Sequence, residues 1–130
     1  MNFATLAKEL EIPHFGLLTS SGANASSMFY YMQIKGEVER DIIALGLPQL
    51  TIYKPGLIEN RRNDWRFGEA LASWIPFITK IQANDLGHSM LLHTIELCTN
   101  DQFPRGENNI LRLNNSEIRN GAQNLAQARL

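Results

Sequence analysis

Cysteine is nearly absent from this 130-residue sequence, where Cys98 stands alone. An internal disulfide is therefore excluded, and a single thiol fits a reducing compartment. Long apolar runs are also lacking. Nothing approaches the ~18 consecutive apolar residues of a membrane-spanning helix, and the opening "MNFATLAKELEIP" mixes charge and polarity with no apolar stretch of a secretory leader. An excess of charge of either sign is missing too. Twelve Lys and Arg stand against 13 Asp and Glu, which leaves no electrostatic footprint for nucleic acid or an anionic membrane surface. The nine glycines never form G-x-G-x-x-G, the turn that cradles a dinucleotide pyrophosphate. Among the histidines, His88 and His93 are five apart and point to different helix faces, and no Cys or carboxylate cluster completes a metal site with them or with His14. These absences predict a soluble, cytoplasmic chain of about one domain.

What is present alternates in texture. Phe3, Leu6, Ala7 and Leu10 have the spacing of one helical face, which Pro13 ends. The run Phe15 to Leu18 is uniformly apolar, as in a strand buried on both faces of a parallel sheet. It passes into Thr19, Ser20, Ser21 and Gly22, which puts polar groups at its carboxyl end. A helix is predicted from Ser26 or Ser27, either of which can cap it, to Leu45, with Gly46 as the stop and Val38, Ile42 and Leu45 as its buried face. The strand "QLTIY" follows and breaks at Lys54-Pro55-Gly56. Beyond it the pattern predicts helices over 65–81 and 83–97, the second capped by Asn84, then a short strand in "NNILRL". A closing helix over 116–128 has Ile118, Ala122 and Leu125 on one face. Helix, strand, helix, strand is the order of an α/β fold with a ligand site at the carboxyl ends of its parallel strands.

The chemistry concentrates in "SSGANASSMFYYMQIKGEVER" (20–40). Tyr31 and Lys35 lie at i and i+4 of the predicted helix, so they share a face. An ammonium near a phenol favours phenolate and makes the hydroxyl a usable proton donor or acceptor near neutral pH. Tyr30 and Tyr53 have Ile34 and Leu57 at i+4 and lack this partner. The same spacing also suits a half-buried aromatic beside a snorkelling lysine, so the surrounding residues decide. A serine hydroxyl at the preceding strand end can hydrogen-bond a substrate carbonyl oxygen as charge builds on it, although a polar turn that caps a helix reads the same way.

Serine, tyrosine and lysine in this order on a strand end and the next helix resemble the catalytic residues of short-chain dehydrogenases/reductases. The segment "HFGLLTSSGANASSMFYYMQIKGEVE", with Tyr-x-x-x-Lys-Gly-Glu-x-Glu, resembles most closely an atypical branch, the Tat-interacting-protein oxidoreductase family. "YKPGLI" (53–58) is similar to its Arg-Pro-Gly segment, with Lys54 in place of arginine, which keeps the charge and loses the planar fork. The resemblance covers about residues 3 to 125 and corresponds to the carboxyl-terminal half of a Rossmann-like NAD(P)-binding fold, without the Gly-rich cofactor half. It implies that Tyr31 is the general acid/base, that Lys35 holds the cofactor ribose and lowers the tyrosine pKa, and that Ser20, or alternatively Ser21, binds the substrate oxygen. Pro55 and Gly56 would pass close to the nicotinamide of NAD or NADP. Residues 1–58 would then form the second half of the Rossmann-like domain, and 59–130 the substrate-side helices and C-terminal segment.

Carbonyl/alcohol hydride transfer is the implied activity, with the chain inactive by itself. A different class of reading is a regulatory interaction module, because the family is associated with regulatory partners and nuclear transport. That association extends the expected location to the nucleus. A strand at 15–18 without its neighbour is an exposed edge, to which a protein partner can add. An incomplete gene product with no function of its own is the third reading. Arg61, Arg62 and Arg66 read as a solvated loop or as a phosphate contact. Trp65, Trp74, Phe67 and Phe77 read as core, and Cys98, with no histidine at i±3 or i±4, as a packed thiol.

Overall fold

The computed structural model describes residues 3–59, 79–99 and 107–127. In chain order these form α1 (Phe3–Glu9), β1 (Phe15–Leu18), α2 (Tyr30–Ala44), β2 (Leu50–Lys54), β3 (Leu57–Glu59) and β4 (Lys80–Gln82). There follow α3 (Ala83–Thr99), a 3-10 turn (Glu107–Asn109), β5 (Ile110–Asn114) and α4 (Asn115–Gln127). The main sheet has the order β1-β2-β5, parallel throughout, with Leu17 opposite Ile52 and Ile52 opposite Arg112. A second parallel pair joins β3 to β4. The fold is thus α/β with a small parallel sheet flanked by helices, as expected for part of a Rossmann-like domain. Its main sheet draws β1 and β2 from before residue 58 and β5 from after it.

The period of two along β2 divides the core. Leu50 and Ile52 face one way and pack with Ala4, Ala7, Ile42 and Leu47, which places α1 and α2 on that side. Tyr53 faces the other way and packs with Leu113, Ile81, Leu86 and Ile118, which places α3 and α4 there. Residues 50–53 of β2 are buried without exception. β1 is different. Its burial alternates, Gly16 and Leu18 are exposed, and β2 is its partner in the sheet. In place of the expected burial on both faces, β1 is half-buried on one, through Phe15 and Leu17.

Several expected details change for packing reasons. α1 docks through the small residues Ala4 and Ala7, so Phe3, 83% exposed, and Leu10 face outward. α2 begins at Tyr30 behind Phe29, which supplies no side-chain cap; Ser27 Oγ instead accepts the Phe29 N–H at 3.1 Å, ahead of the helix. Its buried row is Met32, Gly36, Glu39 and Ile42, and Val38 is exposed. Asn84 lies within the first turn of α3, which starts at Ala83. The helix expected over 65–81 lies mostly outside the described residues, but Lys80 and Ile81 at its end are strand. Arg61, Arg62, Arg66, Trp65, Trp74, Phe67 and Phe77, and the side chain of Cys98, also lie outside them.

Candidate functional site at the carboxyl ends of the strands

Because β1, β2 and β5 are parallel, their carboxyl ends share one edge of the sheet. Thr19 extends the β1 ladder by one bond, donating its N–H to Tyr53 O at 2.9 Å. The chain then turns through Ser20 to Phe29 and lies down on α2. Asn24 donates its N–H to Met32 O at 3.1 Å. The backbone of Asn24 and Ala25 runs so close to Gly36 that a Cβ there would sit 2.1 Å from Ala25 N. Gly36, immediately after Lys35, is therefore the residue that lets the serine turn reach the helix.

Within this frame Ser20 is half-buried, with its Oγ 3.7 Å from Met32 Sδ. Ser21 is exposed, and its N–H donates to Pro55 O at 2.7 Å. Tyr31 is 43% exposed. Lys35 Nζ lies 5.9 Å from the centroid of the Tyr31 ring, within cation–π range. The i, i+4 spacing thus brings phenol and ammonium together, through the ring face. Ser20 is held by the neighbour of Tyr31 on the helix, which places serine and tyrosine on adjoining elements. Among the described residues Lys35 forms no ion pair.

Pro55 is buried, and Gly56 donates its N–H to Asn115 Oδ1 at 3.0 Å. A Cβ on Gly56 would lie 1.7 Å from Thr79 O, so the packing of residue 79 is enough to require glycine. Asn115 also donates to Lys80 O at 3.3 Å and so ties the two sheets together.

Two contacts of Glu39 were not anticipated. Glu39, 8% exposed, accepts the Thr19 hydroxyl on Oε1 at 2.6 Å and pairs through Oε2 with Lys54 Nζ at 2.9 Å. Lys54 Nζ is also 3.5 Å from Ala23 O. The sequence signal was the row Met32, Gly36, Glu39, whose helical spacing puts a glycine and a carboxylate on the sheet-facing side.

On the opposite face of the sheet, Tyr53 stacks on His93 at 5.9 Å, and His14 Nε2 is 3.0 Å from Thr51 Oγ1. Burial pushes the Tyr53 phenol up to about 12. Burial also lowers His14 below the ordinary imidazole value, with His93 adding to the effect. His93 is lowered by burial against a smaller opposing pull from Glu96. His88 is exposed on α3.

No family model matches the chain. It is 37% identical over 94 residues to "Protein HTATIP2" of Rattus norvegicus, covering 62% of this chain and 39% of that protein. It is 34% identical over 126 residues to "Protein FMP52, mitochondrial" of Lodderomyces elongisporus, covering 88% of this chain and 51% of that protein. The FMP52 of Debaryomyces hansenii is 48% identical over 59 residues, 45% of this chain and 26% of that protein. The chain thus spans about half the length, or less, of the curated relatives it matches.

These names overturn the cytoplasmic and nuclear assignment, because the relatives from Lodderomyces elongisporus, Aspergillus fumigatus and Candida albicans are named mitochondrial. The lack of an apolar run and the single thiol bear on membrane spanning and disulfides, and neither encodes an address. The matches rest on the same kind of partial coverage that the motifs indicated. By sequence the chain is a relative of HTATIP2 and FMP52, and over the part of their length that it spans it resembles the Tat-interacting-protein branch of the short-chain dehydrogenases/reductases.

Proposed function

We propose that this chain carries the proton-transferring and substrate-polarising side of an NAD(P)-dependent carbonyl/alcohol oxidoreductase. The observation behind this reading is the Tyr31–Lys35 pair on the first turns of α2, beside a serine turn docked at the carboxyl edge of three parallel strands. The nicotinamide would supply or accept the hydride. Tyr31 would exchange a proton with the substrate oxygen, and Ser20, with Ser21 as the alternative, would donate a hydrogen bond to it. Lys35 fits the ribose hydroxyls because its ammonium sits beside a half-exposed phenol and makes no ion pair among the described residues. Pro55 and Gly56 would form a wall there, since the Gly56 N–H is committed to Asn115 and Pro55 O already accepts from Ser21.

The sequence contains no Gly-rich pyrophosphate turn, and by itself the chain is expected to be inactive. Titration with NADPH and NADH, followed by nucleotide fluorescence and protein melting, tests the reading. A weak saturable shift that Lys35→Met removes supports the ribose role. No shift in a folded sample removes it. The mitochondrial names of the fungal relatives support a mitochondrial location, which subcellular fractionation checks.

A second reading, a protein-interaction module, is favoured by β1. Its outer edge faces no strand among the described residues, and Leu18 is exposed on it. An added strand from a protein partner would pair there. The Leu18 N–H points away from β2, because Phe15 and Thr19 donate theirs to that side. A partner whose binding is lost when a proline replaces Leu18 in a folded chain would support this second reading.

A further inference from the structure

We infer that Glu39 is a positioning residue, a latch that fastens the serine turn and the ends of β1 and β2 to the helix carrying Tyr31 and Lys35. What it positions rests on the oxidoreductase reading; that it holds the turn does not.

Each carboxylate oxygen has one committed partner from a different strand end. Oε1 takes the Thr19 hydroxyl, one residue beyond β1, and Oε2 takes the ammonium of Lys54, the last residue of β2. The same ammonium approaches Ala23 O inside the turn. The Lys54 and Glu39 side chains are 24% and 11% exposed, so removing either partner leaves a mostly buried charge uncompensated.

Glu39 completes a row along α2. Met32 receives the Ser20 hydroxyl and the Asn24 N–H, and Gly36 receives the backbone of residues 24 and 25. Glu39 then locks the far end with charge. Backbone packing at one end and an ion pair at the other fix the rotation of the helix about its axis. Tyr31 precedes Met32 by one residue, about 100° around the helix, so that rotation sets where the phenol faces relative to Ser20. A shorter Asp would draw the carboxylate back from both strand ends, and Gln would lose the charge that Lys54 needs.

Native-state hydrogen exchange of the full chain by NMR tests the latch. The Asn24 and Ser21 amides report the turn through their bonds to Met32 O and Pro55 O, and the Ile52 amide reports the sheet. In Glu39→Gln and in Lys54→Met the two turn amides should exchange about tenfold faster relative to Ile52. Lys54→Arg should return them close to the starting rate, because a guanidinium also pairs with a carboxylate.

Turn and sheet amides that accelerate together, turn amides that do not change, or an arginine variant that behaves like methionine would each overturn the inference. Lys54→Met serves if Glu39→Gln does not fold. Failure of the nucleotide titration would remove the oxidoreductase reading while leaving this measurement intact, so the two failures are distinguishable.

Discussion

Tyr31 and Tyr53 carry the same phenol into opposite surroundings. Tyr31 lies at the surface beside an ammonium, whereas Tyr53 is buried under α3, and its hydroxyl has no partner among the described residues. Burial pushes the Tyr53 phenol up to about 12 and so disfavours its phenolate, which marks it as a packing residue. Burial also links the imidazoles to stability. His14 and His93 hold fewer protons in the folded chain than in the unfolded chain below the reference value of 6.5. Their contribution is therefore complete above that value and is lost as pH falls through it toward the lowered folded values. The urea midpoint should drop between pH 7.5 and pH 5.5, a window in which ordinary carboxylates stay ionised. In a chain with both histidines replaced by glutamine the drop should shrink.

At the scale of the element, α2 shows why a helix can be read from sequence while its buried face is misjudged. The apolar residues Val38, Ile42 and Leu45 predict one face, but the neighbour of α2 is partly a polar turn, and a turn is best met by Met32, Gly36 and Glu39. Two glycine substitutions separate packing from propensity. Gly36→Ala should cost about 1–3 kcal/mol, because its Cβ would collide with backbone at 2.1 Å, more than the helix propensity it gains. Gly87→Ala on α3, where a Cβ would meet nothing within 4 Å, should stabilise by roughly 0.5–1 kcal/mol. Urea melts of both variants check this, and like signs would refute it.

α4 starts with a reciprocal cap. Asn114 Oδ1 accepts from Ser116 N and Glu117 N at 2.9 and 3.1 Å, and Glu117 Oε2 accepts from Asn114 N at 2.7 Å. Asn114→Ala should therefore cost about 0.5–2 kcal/mol, again read from the melt.

At the scale of the whole molecule, the unevenness of burial is the main feature. The centre of the sheet is covered on both faces, while apolar side chains are exposed at Phe3, Leu10, Leu18 and along Tyr30, Ile34 and Val38. A strand edge that has no partner strand among the described residues, with apolar neighbours, favours pairing between molecules. The sedimentation coefficient of the chain should rise with concentration, and Leu18→Lys, which puts a charge on that edge, should suppress the rise. A chain that stays monomeric across the range would contradict this.

The local elements were determined by sequence alone: the α1, β1, α2, β2 order, β5, and the Tyr31–Lys35 adjacency follow from periodicity, turn residues and the fixed geometry of i, i+4. These are short-range effects. Only the tertiary structure decided which face of α2 is buried, that Phe3 and Leu10 lie outside, and that Thr19, Glu39 and Lys54 meet across three elements. Such contacts depend on how close two backbones approach, and a missing Cβ at Gly36 and a carboxylate of the right reach at Glu39 become meaningful only once the neighbouring turn is in place.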